Sequence, residues 1–260
     1  MSSQPTVTSL LRGLEVLRCF NDSRRSLGSS EIARLTGLPQ PTVWRLCETL
    51  KQAGYLTTEP GDTKFQLGLS VLTLGFAALS TLDLTELVSP HLQQVATTFR
   101  AAASLTTRER FGMLCLQRFE EPNAALTVGF RVGTTVPIAN SGVGWAYLSG
   151  LPPPRRAALI AQVQRRDPDT WRKVQKAYDR AMRDFEANGY IVNADIIYPG
   201  LTTVAVSVLR PSDQTLFVLN CTALSALLTP NMIKDRVGPR MRDIGERVSA
   251  ALASTKNLRM

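Results

Sequence analysis

Histidines and clustered cysteines are almost absent from this chain of 260 residues. His91 is the only histidine, and Cys19, Cys47, Cys115 and Cys221 are far apart in the sequence. Zinc sites need several Cys and His ligands in one place, so we expect no metal and no cofactor. Isolated cysteines of this kind usually behave as small buried hydrophobes. We expect that role for all four.

Long apolar runs are also missing. The longest, such as Val204–Leu209 and Leu216–Leu219, are far too short to span a bilayer. The first ten residues contain neither a basic segment nor an apolar segment of the kind found in export signals. The sequence therefore predicts a cytoplasmic protein with no membrane contact.

The net charge of +9 suggests a nucleic-acid partner, but the charge is not where such a partner is expected. The first 80 residues hold eight Lys and Arg against six Asp and Glu. The stretch Arg155–Arg183 alone holds nine basic residues against three acidic ones. A basic helix face of this kind is usually just solvated, although it can steer a charged partner at long range.

The first 80 residues carry apolar positions at helical spacing, followed by two short β-like runs around a Pro-Gly turn. We predict, in order, helices, a hairpin and a further helix: Val7–Phe20, Glu31–Thr36 capped by Ser29 or Ser30, Gln40–Ala53, strands Tyr55–Thr58 and Lys64–Leu67, and helix Leu69–Leu82. A helix, a tight turn containing Gly37 and a second helix place that second helix where it can enter a major groove.

The predicted helix Gln40–Ala53 has two different faces. Val43, Leu46, Cys47 and Leu50 share one face and should be core. Arg and Gln on the other face can hydrogen-bond base edges, and the hairpin would be the wing. The candidate DNA contacts are Ser29, Ser30, Gln40, Pro41, Thr42, Trp44, Arg45, Thr49 and Lys64. The alternative, a helical bundle cap that binds no DNA, leaves an exposed Trp44 beside Arg45 unexplained.

The rest of the chain mixes strands and helices in an order typical of an α+β domain rather than a doubly wound nucleotide-binding sheet. We predict strands at Ala103–Thr107, Met113–Phe119, Leu126–Phe130, Val136–Ile138, Tyr190–Asn193, Thr202–Leu209 and Leu216–Ala223. We predict helices at Thr85–Arg100, Gly142–Ser149, Pro153–Arg165, Thr170–Asn188 and Asn231–Ala253.

An enzyme is the first rival interpretation. Ser141 stands in Asn140-Ser141-Gly142-Val143-Gly144, which lacks the Gly-x-Ser-x-Gly spacing of a nucleophile turn. His91 lies on a predicted helix far along the chain, and a Ser–His pair requires hydrogen-bond reach. No glycine-rich stretch ends in the Lys-Ser/Thr of a phosphate loop. The sequence therefore predicts no catalytic residues.

A resemblance to a known family extends over nearly all of the chain. It is carried by Thr8-Ser9-Leu10, Arg12-Gly13-Leu14, Glu31-Ile32-Ala33, Thr36-Gly37-Leu38-Pro39, Gly54-Tyr55-Leu56, Arg131-Val132-Gly133, Gly142, Gly144, Phe185, Gly189-Tyr190, Gly200 and Val204-Ala205. These residues, in this order, resemble the IclR family of bacterial transcriptional regulators. Pro41, Trp44 and Trp145 depart from the residue types usual in the family.

The resemblance implies a two-domain α+β fold: an N-terminal winged helix-turn-helix, a linker helix and a C-terminal GAF-like effector domain with an antiparallel sheet. We place the DNA-binding domain at residues 1–68, the linker at 69–83 and the effector-binding and oligomerisation domain at 84–260. The family also implies homodimers, which can pair into tetramers, on pseudo-palindromic double-stranded operators. Its members act as repressors or activators of catabolic operons.

The resemblance also places an effector pocket between the Val136–Ser149 segment and the strands that follow. Its candidate residues are Val128, Ser141, Gly142, Val143, Gly144, Asn193, Thr203, Asn220 and Thr222. Ser141 can cap the helix that starts at Gly142, and a helix N-terminus favours a carboxylate, so we expect a small organic acid. The alternatives are a C-terminal domain that only oligomerises, and polar residues that merely satisfy strand ends and turns.

Overall fold

The computed structural model describes residues 6–21, 23–80, 84–121 and 130–255. Contacts within the chain divide it into two compact units, Met1–Leu82 and Asp83–Met260. The predicted strand Leu126–Phe130 and the candidate residue Val128 lie outside the described residues, apart from Phe130.

The N-terminal unit contains the predicted three helices, hairpin and further helix. They are α1 (Thr8–Leu17), α2 (Ser29–Thr36), α3 (Gln40–Gln52), β1 (Leu56–Thr58), β2 (Phe65–Leu67) and α4 (Ser70–Ser80). Helix α1 ends earlier than predicted because the amides of Cys19 and Phe20 bond three residues back, to the carbonyls of Val16 and Leu17, and so leave the α-helical pattern. The winged helix-turn-helix prediction is confirmed.

A small apolar core holds this unit together. Val16, Ile32, Val43 and Cys47 are buried between the three helices, and Phe65 of the hairpin packs with them. The Leu27 and Phe65 backbones exchange two hydrogen bonds of 3.0 and 2.9 Å. This bridge ties the hairpin to the segment before α2, so the wing is fixed to the helices.

The start of α2 differs from the prediction. We expected Ser29 or Ser30 as the cap, but both are helical and the cap position is Gly28. The Gly28 amide donates to Glu31 Oε2 at 2.8 Å. The Glu31 carboxylate, on the third helical residue, therefore satisfies the free amide in place of a serine hydroxyl.

Within the described residues, the C-terminal unit is a six-stranded antiparallel sheet covered by helices. Its strands are β3 (Ala102–Glu109), β4 (Gly112–Glu120), β5 (Thr135–Pro137), β6 (Ile191–Ala194), β7 (Leu201–Arg210) and β8 (Thr215–Leu224), in the order β5-β4-β3-β8-β7-β6. Its helices are α5 (Leu84–Phe99), α6 (Gly142–Ser149), α7 (Pro153–Arg166), α8 (Pro168–Asn188), α9 (Pro230–Met232) and α10 (Gly238–Thr255). The predicted antiparallel sheet is confirmed.

Alternation along β7 separates the two faces of this sheet. Val206 and Val208 face α10, where they lie against Gly245. Thr203 and Ser207 point the other way and lie against α6. Helix α6 is almost wholly buried, and its Trp145 packs edge-on against Tyr178 of α8. Helices α6 and α8 therefore pack together on this side of the sheet.

The closing helix is not the single α-helix that the sequence predicts over Asn231–Ala253. A π-helical turn, Ile233–Val237, separates α9 from α10. It ends where Gly238 lies against the Tyr190 ring, and a Cβ on residue 238 would be 2.2 Å from Tyr190 Cζ. The widened turn coincides with this close approach, which is a tertiary contact that helical periodicity does not reveal.

Among the described residues, no single helix is long and apolar enough to cross a membrane. Helices α4 and α5 pass that test only when they are taken together. Leu84, Val88 and Leu92 of α5 are buried in the C-terminal unit.

Candidate functional site

Helix α3 presents a polar face to solvent. Val43 and Cys47 are fully buried, Leu46 and Leu50 are partly buried, and the opposite side is open. The predicted core face is therefore confirmed. On the open side Gln40, Pro41, Trp44, Arg45 and Thr49 are exposed, and Thr42 is half-buried.

The side chains of this face differ in how freely they can bind a partner. The Arg45 side chain has no hydrogen-bond or ion-pair partner among the described residues, and only its backbone carbonyl accepts a side-chain hydrogen bond. Thr49 Oγ1 donates to the Arg45 carbonyl at 2.9 Å, so its methyl group is the part left for contact. Gln40 Nε2 donates to Ser29 Oγ at 3.0 Å, which joins the N-terminal turns of α2 and α3. Ser30 is exposed beside them.

Trp44 has a structural role that the sequence did not suggest. Its ring is 5.8 Å from the Phe65 ring in an edge-on arrangement, so it supports the wing against α3. The side chain nevertheless remains 44% exposed. Packing on Phe65 therefore buries part of the Trp44 ring, and the rest of its surface is open to a partner.

The wing is weakly charged. Lys64 is exposed, and its backbone amide donates to Asp62 Oδ1 at 3.0 Å. Glu59 of the same turn accepts a hydrogen bond from Gln66. Lys64 is thus the single basic residue of a hairpin that also carries two carboxylates.

Helices α1 and α4 expose an unusual amount of apolar surface. Helix α4 has no buried residue, and its Phe76 is 66% exposed. Leu72 and Leu74 are also exposed, as are Leu10 and Leu14 of α1. Apolar patches of this kind on a folded unit mark interaction surfaces.

In the C-terminal unit, a cavity lies between the N-terminus of α6 and the sheet. The free space inside it is about 60 Å³, which is smaller than the roughly 300–1,000 Å³ usual for small-molecule sites, and the cavity is open to solvent at its mouth. The cavity is lined by Arg118, Phe130, Val136, Ser141, Gly142, Val143, Asn193, Ile197, Tyr198, Leu201, Thr203, Asn220 and Thr222. The structure therefore brings together seven of the nine candidate effector residues.

Strand register explains why residues from five strands meet here. Opposite residues of an antiparallel pair point to the same face. Arg118, Ser104 and Asn220 form one row across β4, β3 and β8. Thr222, Thr203 and Asn193 form the next row across β8, β7 and β6. Except for the fully buried Ser104, the residues of these two rows line the cavity and make its floor.

Hydrogen bonds join the floor into a network. Ser104 Oγ donates to Asn220 Oδ1 at 2.7 Å, and Asn220 Nδ2 donates to Thr222 Oγ1 at 3.0 Å. The Thr222 and Thr203 hydroxyls are 2.9 Å apart. Asn193 Nδ2 donates to the Asn140 carbonyl at 3.3 Å and so holds the segment before α6. These neutral side chains are positioned by one another as well as by the sheet.

Ser141 caps α6, as predicted. Its Oγ accepts from the Gly144 amide at 3.1 Å and donates to the Pro137 carbonyl at 2.6 Å. The amides of Gly142 and Val143 have no acceptor among the described residues, and both residues line the cavity. A Cβ on Gly142 would be 2.8 Å from the Thr203 side chain, so only glycine brings this helix end so close to the floor.

Gly144 differs from the expectation. It was a candidate effector residue, but its amide bonds Ser141 Oγ, and Gly144 does not line the cavity. A Cβ at this position would be 2.2 Å from the Ile138 carbonyl oxygen. Gly144 therefore allows α6 to pack on the Ile138 backbone and leaves the cavity to Gly142 and Val143.

Sequence reasoning missed Arg118, Phe130, Ile197, Tyr198 and Leu201. An Arg within a largely apolar strand is a signal that could have been followed, because Arg is rarely buried without a partner. The side chain of Arg118 is only 9% exposed, and it pairs with Glu120 at 3.1 Å. Its Cζ is 5.9 Å from the centre of the Phe130 ring.

Ser141, His91 and the cysteines are the side chains that a catalytic or metal site would use, and the structure places them in separate parts of the chain. Ser141 caps α6, on one side of the sheet, while His91 belongs to α5. The described residues contain no group of three or more His, Cys, Asp or Glu side chains able to hold a metal ion. All four cysteines are buried, as predicted, and burial raises the pKa of Cys47 and Cys221 to about 12. These thiols stay protonated at neutral pH.

Comparisons with known proteins agree with this geometry. Residues 9–60 match the IclR helix-turn-helix domain, and residues 76–250 match the bacterial transcriptional regulator IclR C-terminal domain. An IclR family transcriptional regulator from Brucella abortus is 35% identical with a TM-score of 0.88, over 96% of this chain and 95% of that one.

Two further relatives show the breadth of the similarity. The HTH-type transcriptional regulator TsaQ1/TsaQ2 of Comamonas testosteroni is 29% identical over 96% of this chain and 90% of its own. An IclR homolog from Microbacterium hydrocarbonoxydans, complexed with 4-hydroxybenzoate, is 22% identical with a TM-score of 0.70, over 94% of this chain and 97% of that one. The two domain matches together cover most of the sequence, in the order that the fold requires. The chain belongs to the IclR family of bacterial transcriptional regulators.

Proposed function

We propose that this regulator binds its operator as a homodimer and that a small organic acid, bound in the cavity beside α6, modulates that binding. In this proposal residues 1–68 bind DNA, residues 69–83 link the two parts, and residues 84–260 bind the effector and carry further oligomer contacts. The regulated genes would belong to a catabolic operon.

The observation that carries the effector proposal is the free end of α6. Gly142 and Val143, whose backbone amides have no acceptor among the described residues, line a cavity whose floor is made mostly of neutral hydrogen-bonding side chains. Such amides, at the positive end of a helix dipole, favour a carboxylate. Asn220, Thr222 and Thr203 can donate or accept without repelling its charge.

The relatives support the same class of ligand. The Microbacterium homolog was crystallised with 4-hydroxybenzoate, which is a small aromatic acid. In this chain Phe130 and Tyr198 line the cavity and offer two aromatic rings. An acid with a flat apolar body would satisfy the amides with one end and pack on these rings with the other.

For DNA, we propose that Arg45 reads a base edge while Gln40, Thr42, Trp44 and Thr49 lie in the same groove. Ser29, Ser30, Pro41 and Lys64 would contact the backbone beside it. One helix and one wing reach only a half-site, so specificity requires a symmetric dimer on a pseudo-palindrome. The exposed apolar surfaces of α1 and α4 are the proposed dimer contact, and two dimers would form a tetramer.

Calorimetry of the full chain with a panel of small carboxylic acids tests the effector proposal. We expect at least one acid to bind, and Thr222→Val together with Asn220→Ala to weaken it. If the C-terminal unit only oligomerises, no acid will bind and none will raise the thermal unfolding midpoint. Binding that is indifferent to both substitutions would place the site elsewhere.

A further inference from the structure

Arg118 is the one cationic side chain that lines the cavity within the described residues. Its side chain is nine-tenths buried, which is costly for a guanidinium unless its charge and its donors are satisfied. Glu120 supplies the counter-charge from two residues along β4, and its own side chain is 34% exposed.

The hydrogen bonds between these two residues are one-sided. Arg118 Nε and Nη2 both donate to the same oxygen, Glu120 Oε2, at 3.2 and 3.1 Å. The Nη1 group has no acceptor among the described residues. A guanidinium presents five N–H donors on a planar fork, so an edge that includes Nη1 remains able to bind an oxygen.

The position of Arg118 in the sheet separates it from the free end of α6. Arg118 is on β4, while Gly142 lies against Thr203 of β7, with β3 and β8 between them. Three strand spacings put the two backbones about 14 Å apart, and the long Arg side chain shortens this gap. The row Arg118–Ser104–Asn220 runs across it.

We propose that Arg118 is a second anchor of the cavity, which binds an oxygen-bearing group at the far end of an elongated acid. The first end, a carboxylate, binds the amides of Gly142 and Val143, so the inference rests on the function proposed above. The effector class is thereby narrowed to acids with two polar ends. Glu120 holds the guanidinium in place and balances its charge while the cavity is unoccupied.

Three acids that differ only in the group opposite the carboxylate test this inference: benzoate, 4-hydroxybenzoate and terephthalate. Calorimetry on the full chain should show 4-hydroxybenzoate and terephthalate binding about tenfold or more tightly than benzoate, since a charge-assisted hydrogen bond is gained. Arg118→Gln should abolish this advantage and leave the affinity for benzoate unchanged. Arg118→Lys should keep part of the advantage over benzoate for terephthalate alone, because lysine retains the positive charge but not the planar fork of N–H donors.

Glu120→Gln provides a variant with the opposite expected effect. Removal of the competing carboxylate should raise the affinity for terephthalate and leave that for benzoate unchanged. A loss of terephthalate binding in Glu120→Gln would contradict the inference, as would an undiminished advantage in folded Arg118→Gln. If Arg118 fails these tests, loss of benzoate binding in Gly142→Ala would still show that the acid binds at the start of α6. Binding of none of the three acids would contradict the proposed effector class as well.

Discussion

Helices α3 and α6 both offer a binding surface, but they do so in opposite ways. Helix α3 exposes side chains on one face and buries only the residues that hold it to its unit. Helix α6 is buried in seven of its eight residues and offers backbone amides. Under the proposed function, recognition by α3 therefore depends on which side chains it carries, whereas recognition by α6 depends on the position of its backbone.

This difference has consequences for substitution. An exposed residue such as Arg45 can change without disturbing a core, so we expect that operator preference can change while the fold is retained. Gly142 and Gly144 have no such freedom, because a Cβ at either position would overlap neighbouring atoms. The effector cavity should tolerate changes in its floor and mouth but not at the start of α6.

The largest expected effect is therefore at Gly142. Gly142→Ala should weaken binding of any effector acid by tenfold to a hundredfold, since overpacking costs about 1–3 kcal/mol and displaces the two amides. Operator binding by the unliganded variant should persist. Calorimetry and fluorescence anisotropy measure the two effects separately.

Gly28→Ala is the matched control, because a Cβ there would make only an ordinary 3.5 Å contact with Glu31, and the residue lies outside the cavity and outside the proposed dimer surfaces of α1 and α4. Its acid affinity should equal that of the wild type. Unchanged acid binding in Gly142→Ala would mean that the amides of α6 are not the acid site, and the contrast between α3 and α6 would fail.

The next effect concerns the apolar surface of α4. Phe76→Glu should convert the proposed dimers to monomers at micromolar concentration, because an aromatic side chain that becomes buried in the dimer contact contributes about 1.5–3 kcal/mol per subunit. Sedimentation equilibrium measures the change. Leu35→Glu alters an exposed apolar residue of the same unit, on α2, and should leave the dimer intact. Equal dissociation of both variants would argue against α4 as the contact.

A comparable effect is expected for the exposed face of α3. Arg45→Ala should cost about 1–3 kcal/mol in operator binding and relax specificity at one base position. Lys64→Ala should weaken binding to all sequences alike and lower the slope of the salt dependence by about one. Anisotropy over a salt series on the promoter fragment separates the two. Full-strength, specific binding by Arg45→Ala would contradict the assignment of α3 as the recognition helix.

The smallest effect is expected on the cavity floor. Thr222→Val removes one hydroxyl from the network but keeps its volume, so acid affinity should fall by about threefold to tenfold for one lost hydrogen bond. Thr107→Val is the control, since that hydroxyl donates to the Leu216 carbonyl and lies outside this cavity. An equal loss of acid affinity in both variants would indicate a general effect on the sheet.

Local sequence signals were enough for the two helices that matter most. Gln40–Ala53 was predicted for α3, which spans Gln40–Gln52, and the predicted α6 has the observed bounds. These signals come from residues close together in the sequence. They are helical periodicity, Pro41 near the start of α3 and the step from Ser141 to Gly142 at the start of α6. The same holds for Ser141, whose capping role needs only its position before Gly142.

What the sequence did not reveal depends on pairing between distant strands. Arg118 meets Asn220 only because β3 lies between β4 and β8 in a particular register. The burial of the Gly144 amide and the π-helical turn before Gly238 also follow from tertiary contacts, with Ile138 and Tyr190 respectively. A single sequence carries no direct record of such pairs.

Anisotropy on the promoter fragment, with and without saturating 4-hydroxybenzoate, measures whether an acid in the α6 cavity changes the affinity of α3 for DNA. We expect a change in operator Kd of about fivefold or more, and an equal change in acid affinity when operator DNA is present, because coupling between two sites is reciprocal. If the acid binds the wild type in calorimetry, yet the operator Kd is the same with and without it, the proposed coupling is contradicted.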